Sequence, residues 1–158
     1  MANNQLNKAK KRFQRLVGSS LSMIHFAGDT SMLVFSTMTT AFNIHAQCSY
    51  RFIYKNATIL CKNDYWTTVN HEKFNTLVHV ERDLLAQYVL PITVTSVCLH
   101  DDLDLFIELQ DEYALRIYAD LPSVDEQWRF WENSAEPRKQ GSCFIAIGGT
   151  VIEQRFGL

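Results

Sequence analysis

Apolar positions recur along this chain in two periods. Leu6, Ala9, Phe13, Leu16 and Val17 are spaced like one face of a helix, with Lys8, Lys10, Lys11, Arg12 and Arg15 on the other face. Short apolar runs follow at Leu21 to Phe26, Met32 to Phe35 and Phe42 to His45, separated by Gly28-Asp29 and Thr39-Thr40. In the last run Phe42 and Ile44 alternate with Asn43 and His45, the period of a half-buried strand. Tyr50 to Tyr54 and Thr58 to Cys61 then read as a hairpin turned at Lys55-Asn56.

The central segment changes period. Phe74, Leu77, Val78, Leu84, Leu85 and Tyr88 follow helical spacing, interrupted at Glu81. Asn70 is a candidate N-cap, Glu72 sits in the first turn, and Pro91 ends the pattern. This predicts a long helix over 70–89. Period two returns afterwards. Val94, Val97 and Leu99 precede a turn at Asp101-Asp102, and Leu103, Leu105, Ile107 and Leu109 alternate with Asp104, Phe106, Glu108 and Gln110. Asp111-Glu112 turns the chain into Tyr113 to Tyr118, Leu121-Pro122-Ser123 is a loop, and Gln127 to Trp131 is strand-like. Ser134 to Gly141 reads as an exposed loop before a hairpin of Cys143 to Ile147 and Val151 to Ile152, turned at Gly148-Gly149.

The expected fold is therefore α+β in a single domain. Two antiparallel β-meanders, 17–66 and 91–154, flank one long central helix packed on the sheet, with a short N-terminal helix before them. The meanders align as a candidate pseudo-duplication: Ile24 with Val97, Leu33 with Leu105, Phe42 with Leu115, and Tyr50-Arg51-Phe52 with Trp128-Arg129-Phe130. The offset, roughly 72–78 residues, exceeds the period of a solenoid repeat.

Charge sharpens this picture. Net charge is only −2, yet five of the 15 basic residues lie between Lys8 and Arg15, and nine of the 17 acidic residues lie between Asp101 and Glu126. The chain has a basic head and an acidic second half. Hydrophobic residues at 47% support an ordinary core, and no apolar run reaches the length of a membrane helix. No signal-peptide core follows the basic residues, which sets a cytoplasmic expectation. Cys48, Cys61, Cys98 and Cys143 lie inside strand patterns without a C-x-x-C pair, and are expected as buried reduced thiols. Asn56-Ala57-Thr58 matches a glycosylation sequon by chance.

No arrangement of chemical groups points to catalysis. His45-x-x-Cys48 spans the end of one strand, where alternation opposes convergence on a metal, and His71 and His79 share a helix face only loosely. Gly141-Ser142-Cys143 is not a nucleophile elbow, and neither a P-loop nor G-x-G-x-x-G occurs. Asp101, Asp102 and Asp104 read as turn formers. Neither a cofactor nor a metal is expected. Two binding readings remain. The carboxylates Asp104, Glu108, Glu112 and Asp125, interleaved with aromatics of which Phe106 and Trp131 are the anchors, would suit a partner's basic site. Alternatively Lys8, Lys10, Lys11, Arg12 and Arg15 would hold nucleic-acid phosphates or a small ligand. A purely structural or oligomerisation role is the third reading.

Some segments also resemble a family. Leu16-Val-Gly-Ser, the turn at Asp29, Phe42-Asn-Ile-His45, Ser49-Tyr-Arg-Phe52, Ile59-Leu60, Asp64-Tyr65 and Glu126-Gln127-Trp128-Arg129-Phe130 are similar to stretches of small uncharacterised bacterial proteins found beside toxin genes. Tyr50 stands where that pattern carries Trp. The resemblance implies an immunity protein of a polymorphic-toxin or contact-dependent inhibition system, whose partner is a cognate toxin domain such as a nuclease, blocked without chemistry.

Overall fold

The spacing of Leu6, Ala9, Phe13 and Leu16 does produce a helix, α1 (Ala2–Phe13), continued by a 3-10 turn at Gln14–Leu16. Lys10, Lys11 and Arg12 occupy its last turn, where the helix dipole favours cations. Ala9, Phe13 and Leu16 lose all solvent contact. Phe13 stacks on Phe130 at 4.2 Å and meets Trp128 edge-on at 5.3 Å. Burying one such ring stabilises the fold by about 1.5–3 kcal/mol.

The computed structural model describes residues 2–27, 30–62, 81–120, 124–134 and 141–156. Eleven strands dominate them: β1 (Ser20–Ala27), β2 (Thr30–Ser36), β3 (Thr40–Ala46), β4 (Ser49–Tyr54), β5 (Ala57–Lys62), β6 (Ile92–Leu99), β7 (Leu105–Leu109), β8 (Tyr113–Tyr118), β9 (Glu126–Ser134), β10 (Ser142–Ile147) and β11 (Thr150–Arg155). All join one antiparallel sheet in the order β11-β10-β9-β3-β2-β1-β6-β7-β8-β4-β5. Helix α1 packs against β11, at one edge, and β6, near the middle, so the half-sheet between them curves around the helix. One continuous core cluster runs from Ala9 to Val151.

The long central helix is not found. Among the described residues, helix in this region covers only 81–88 (α2). The sequence stripe fails as a packing face, because Leu85 is buried while Leu84 and Tyr88 are 51% and 73% exposed. The α+β reading gives way to a predominantly antiparallel β fold. The candidate cap Asn70, the apolar positions Phe74, Leu77 and Val78, and the turns at Gly28-Asp29 and 121–123 lie outside the described residues.

Neither meander closes on itself. β1-β2-β3 and β6-β7-β8 are each ordinary meanders, but β4 leaves β3 to pair with β8, and β9 leaves β8 to pair with β3. The strand order thus follows one scheme outward from its centre: 1-2-3-9-10 on one side, with β11 added at the edge, and 6-7-8-4-5 on the other. A pseudo-two-fold passes through the β1/β6 contact, where Ser20 faces Thr93. The detail repeats as well. A bulge interrupts the first hairpin of each half, between Leu21 and Met23 and between Val94 and Ser96. Tyr50 and Phe52 in β4, and Trp128 and Phe130 in β9, all point into the core with an arginine between them. Matching the bulges pairs Leu33 with Ile107 and Ile44 with Leu115, two residues from the alignment by pattern alone.

The two exchanging connections meet and lock. The amides of Gln47 and Cys48 both donate to the Gln127 carbonyl, at 2.9 and 3.1 Å. The Trp128 indole N–H donates to the Leu103 carbonyl at 2.9 Å, tying β9 to the β6–β7 turn.

Candidate binding face

In β7 and β8, alternation sends Leu105, Ile107, Leu115 and Ile117 inward and Phe106, Glu108, Arg116 and Tyr118 outward. Strand exchange then sets β4 beside β8, which brings Arg51 directly opposite Arg116 on the outer face. A row forms across four neighbouring strands and on to the edge: Cys98, Phe106, Arg116, Arg51, Cys61. Like charges facing each other in a sheet are unfavourable, and aromatic rings offset the repulsion here. Arg116 lies 4.7 Å from the Phe106 ring centre and Arg51 lies 5.5 Å from that of Tyr118. Arg116 is also clasped by Glu108 Oε1, and His100 packs on Phe106 at 4.5 Å. Arginine and tyrosine are the side chains that dominate interface energetics.

Beside this row, one end of the face opens into a recess of about 400 Å³, lined by Ile53, Lys55, Asn56, Glu108, Glu112 and Ala114 among others. Two tight turns overhang it. Both central residues of each have positive φ: Lys55 and Asn56 (47° and 66°), and Asp111 and Glu112 (55° and 65°), the geometry that suits hairpin twist. The Lys55 amide donates to the Glu112 carbonyl at 3.1 Å, which fixes the turns to each other. Ala114 forms the floor, since its methyl is the smallest side chain in the row Glu108, Ala114, Ile53. The rim carries two ion pairs, Glu108 with Arg116 and Glu112 with Lys55 at 3.6 Å.

The proposed partner-binding residues divide accordingly. Phe106, Glu108 and Glu112 converge on this face. Asp104 is a structural tie: its Oδ1 accepts the Ala119 N–H at 2.8 Å, and burial pushes its carboxyl upward, against that hydrogen bond. Asp125 lies before β9, where its carbonyl accepts from the Gln127 side chain at 3.1 Å. Trp131 sits on the outer face of the other half, edge-on to His45 at 4.4 Å.

The basic stripe of α1 is turned onto the protein itself. Lys8 pairs with Glu153 at 3.5 Å, Lys10 with Asp101 at 2.6 Å, and Arg12 and Arg15 both with Glu132. The Lys10 ammonium holds the Asp101 carboxyl below its usual range. Lys11 is exposed. The basic head and part of the acidic half are therefore complementary surfaces of one fold.

Arg51, Arg116, Lys55 and Ala114 were missed by sequence reasoning. Alternation within β8 already set Arg116 and Tyr118 on one face. Nothing local reported that β4 would lie alongside. Of the cysteines, Cys48 and Cys143 are buried as expected, whereas Cys61 is half-buried and Cys98 is exposed on this outer face. Among the described residues, no three His, Cys, Asp or Glu side chains are grouped to hold a metal, and no helix is long and apolar enough to cross a membrane. No family model, curated protein or solved structure matches the chain.

Proposed function

We propose that the protein is a cytoplasmic binding module of the immunity type, which neutralises a cognate protein toxin by covering its active site, without chemistry of its own. The observation that carries this reading is the outer face of β7, β8 and β4. Phe106, Tyr118, Arg116 and Arg51 there supply rigid aromatic and guanidinium contact area beside a charged recess. The ion pairs of α1 and the 3-10 turn after it weigh against the nucleic-acid reading, because Glu153, Asp101 and Glu132 already meet four of the five cations of this stripe.

The test is co-purification of the full chain with the toxin domain encoded beside its gene, with growth rescue in cells expressing that domain. Phe106→Ala with Arg116→Ala, in a protein that keeps its melting temperature, is expected to lose both. Unchanged rescue by that variant would move the contact elsewhere. Failure of the wild-type pair to associate at low salt would end the immunity reading.

A further inference from the structure

The pseudo-two-fold gives each outer face a reference in the other half. Across β2, β3 and β9 one row runs Val34, Asn43, Trp131; across β7, β8 and β4 the equivalent row runs Glu108, Ala114, Ile53. The bulges fix the equivalence, since Val34 faces Met23 and Glu108 faces Ser96, each the first pair beyond its bulge. In the first half Trp131 stands next to Asn43, which is only 5% exposed, and its indole N–H is held by Asn133 Oδ1 at 3.1 Å. The second half has Ile53 in place of that indole and Ala114 in place of the asparagine, and the recess lies there.

We propose that this recess receives a planar cation, the guanidinium of an arginine presented by the protein partner. The inference rests on the binding-module reading above and names the chemistry of its contact. Shape is the first argument, because the residue at the equivalent register position in the other half is the flat Trp131. Charge is the second. Arg116 is fixed between Glu108 and the Phe106 ring, with 19% of its side chain exposed, and will not yield. The Lys55–Glu112 pair is loose at 3.6 Å, with 57% and 68% of the two side chains exposed. Such a pair contributes little, and its ammonium returns to water at small cost. Glu112 then accepts the two parallel N–H groups of a guanidinium, a geometry that an ammonium cannot offer. An acidic anchor would gain only Lys55, since Arg116 is held by Glu108 and the Phe106 ring, and would face both rim carboxylates. An apolar anchor would strip water from two ion pairs and give nothing back.

The experiment has two arms on the full-length protein. In the first, amide resonances are followed by NMR during titration with N-acetyl-arginine amide, with N-acetyl-leucine amide and N-acetyl-glutamate amide as comparisons. Saturable shifts at Glu112, Tyr113 and Ala114 are expected with the arginine probe alone, at roughly millimolar affinity for one side chain. Ile53→Trp, which copies the filled half, is expected to abolish them. Glu112→Gln is expected to weaken them about tenfold, the loss of one charge-assisted hydrogen bond. Dispersed spectra establish that both variants are folded. Equal response to the glutamate or leucine probe, or an unchanged response in Ile53→Trp, overturns the inference. In the second arm the same variants meet the toxin domain. Binding that is strong in wild type and equal in Ile53→Trp overturns the recess contact but leaves the immunity reading standing. Arginine binding without toxin binding supports the recess and overturns the immunity reading.

Discussion

Glu132 is the anchor of the N-terminal helix, and Glu132→Gln is the cleanest perturbation of it. The carboxylate, with 16% of its side chain exposed, accepts from both Arg12 and Arg15, whose side chains are 37% and 49% exposed. A charge-assisted hydrogen bond contributes about 1.5–3 kcal/mol when shielded, whereas an exposed ion pair contributes about 0–1 kcal/mol. With the acceptor shielded and both donors partly solvated, the substitution is expected to cost about 1–2 kcal/mol in total. In urea the midpoint should fall with the slope unchanged, and the melting temperature should drop by roughly 2–8 °C. The deficit should shrink at high salt, since the donors face water. A double-mutant cycle with Arg15→Ala should show coupling, because that partner is then already gone. The same variant frees cations on α1, so heparin retention should rise. A midpoint shift near zero, or full additivity with Arg15→Ala, would refute the claim that the basic stripe is spent inside the molecule.

Other outcomes follow from single side chains. Asp104→Asn keeps the acceptor for the Ala119 N–H and removes a charge that burial disfavours, so it should be neutral to stabilising, whereas Asp104→Ala should cost about 1–2 kcal/mol in urea melts. The Tyr50 hydroxyl is buried and makes no well-formed hydrogen bond, with the Ser31 hydroxyl as a polar neighbour, so Tyr50→Phe should change stability by no more than about 1 kcal/mol by calorimetry. Burial, and then the nearby Arg129, lower the His45 pKa. The neutral ring is thus the favoured form in the fold, and its stabilisation is complete above the unfolded value of about 6.5 and declines as pH falls below it. Stability measured from pH 7 to pH 5 should therefore decrease, with a shallower slope in His45→Gln.

Local pattern made much of the strand inventory readable. Leu105, Ile107 and Leu109 alternate because β7 buries one face, and Lys55-Asn56 and Asp111-Glu112 turn because these residue types punctuate two alternating runs. Strand order was beyond such reading. Consecutive strands usually pair, so a chain entering β4 from β3 is expected to stay beside it. Here the neighbours of β4 are β8 and β5, chosen by core contacts of Tyr50 and Phe52 that are distant in sequence. The central helix failed for a related reason. Helical spacing says that a stripe can exist, and only tertiary contact says whether the core covers it; at Leu84 and Tyr88 it does not. Charge was misread in the same direction, because Lys10 with Asp101 and Arg15 with Glu132 are complementary only once the chain has folded.

Reciprocal exchange also explains why the two halves differ where they do. Each half's core depends on a hairpin supplied by the other, so inward positions such as Phe52 and Phe130 are constrained by both halves at once. Outward positions carry no such double constraint. There the equivalent rows differ most: Val34, Asn43 and Trp131 against Glu108, Ala114 and Ile53, and Met32, His45 and Arg129 against Phe106, Arg116 and Arg51. The second row of each set keeps one arginine in common and changes everything around it. A fold needing only stability would gain nothing from placing Arg51 opposite Arg116 while leaving a gap over Ala114. The departure from symmetry, more than the acidic count of the second half, is what supports the proposal of a partner at this face.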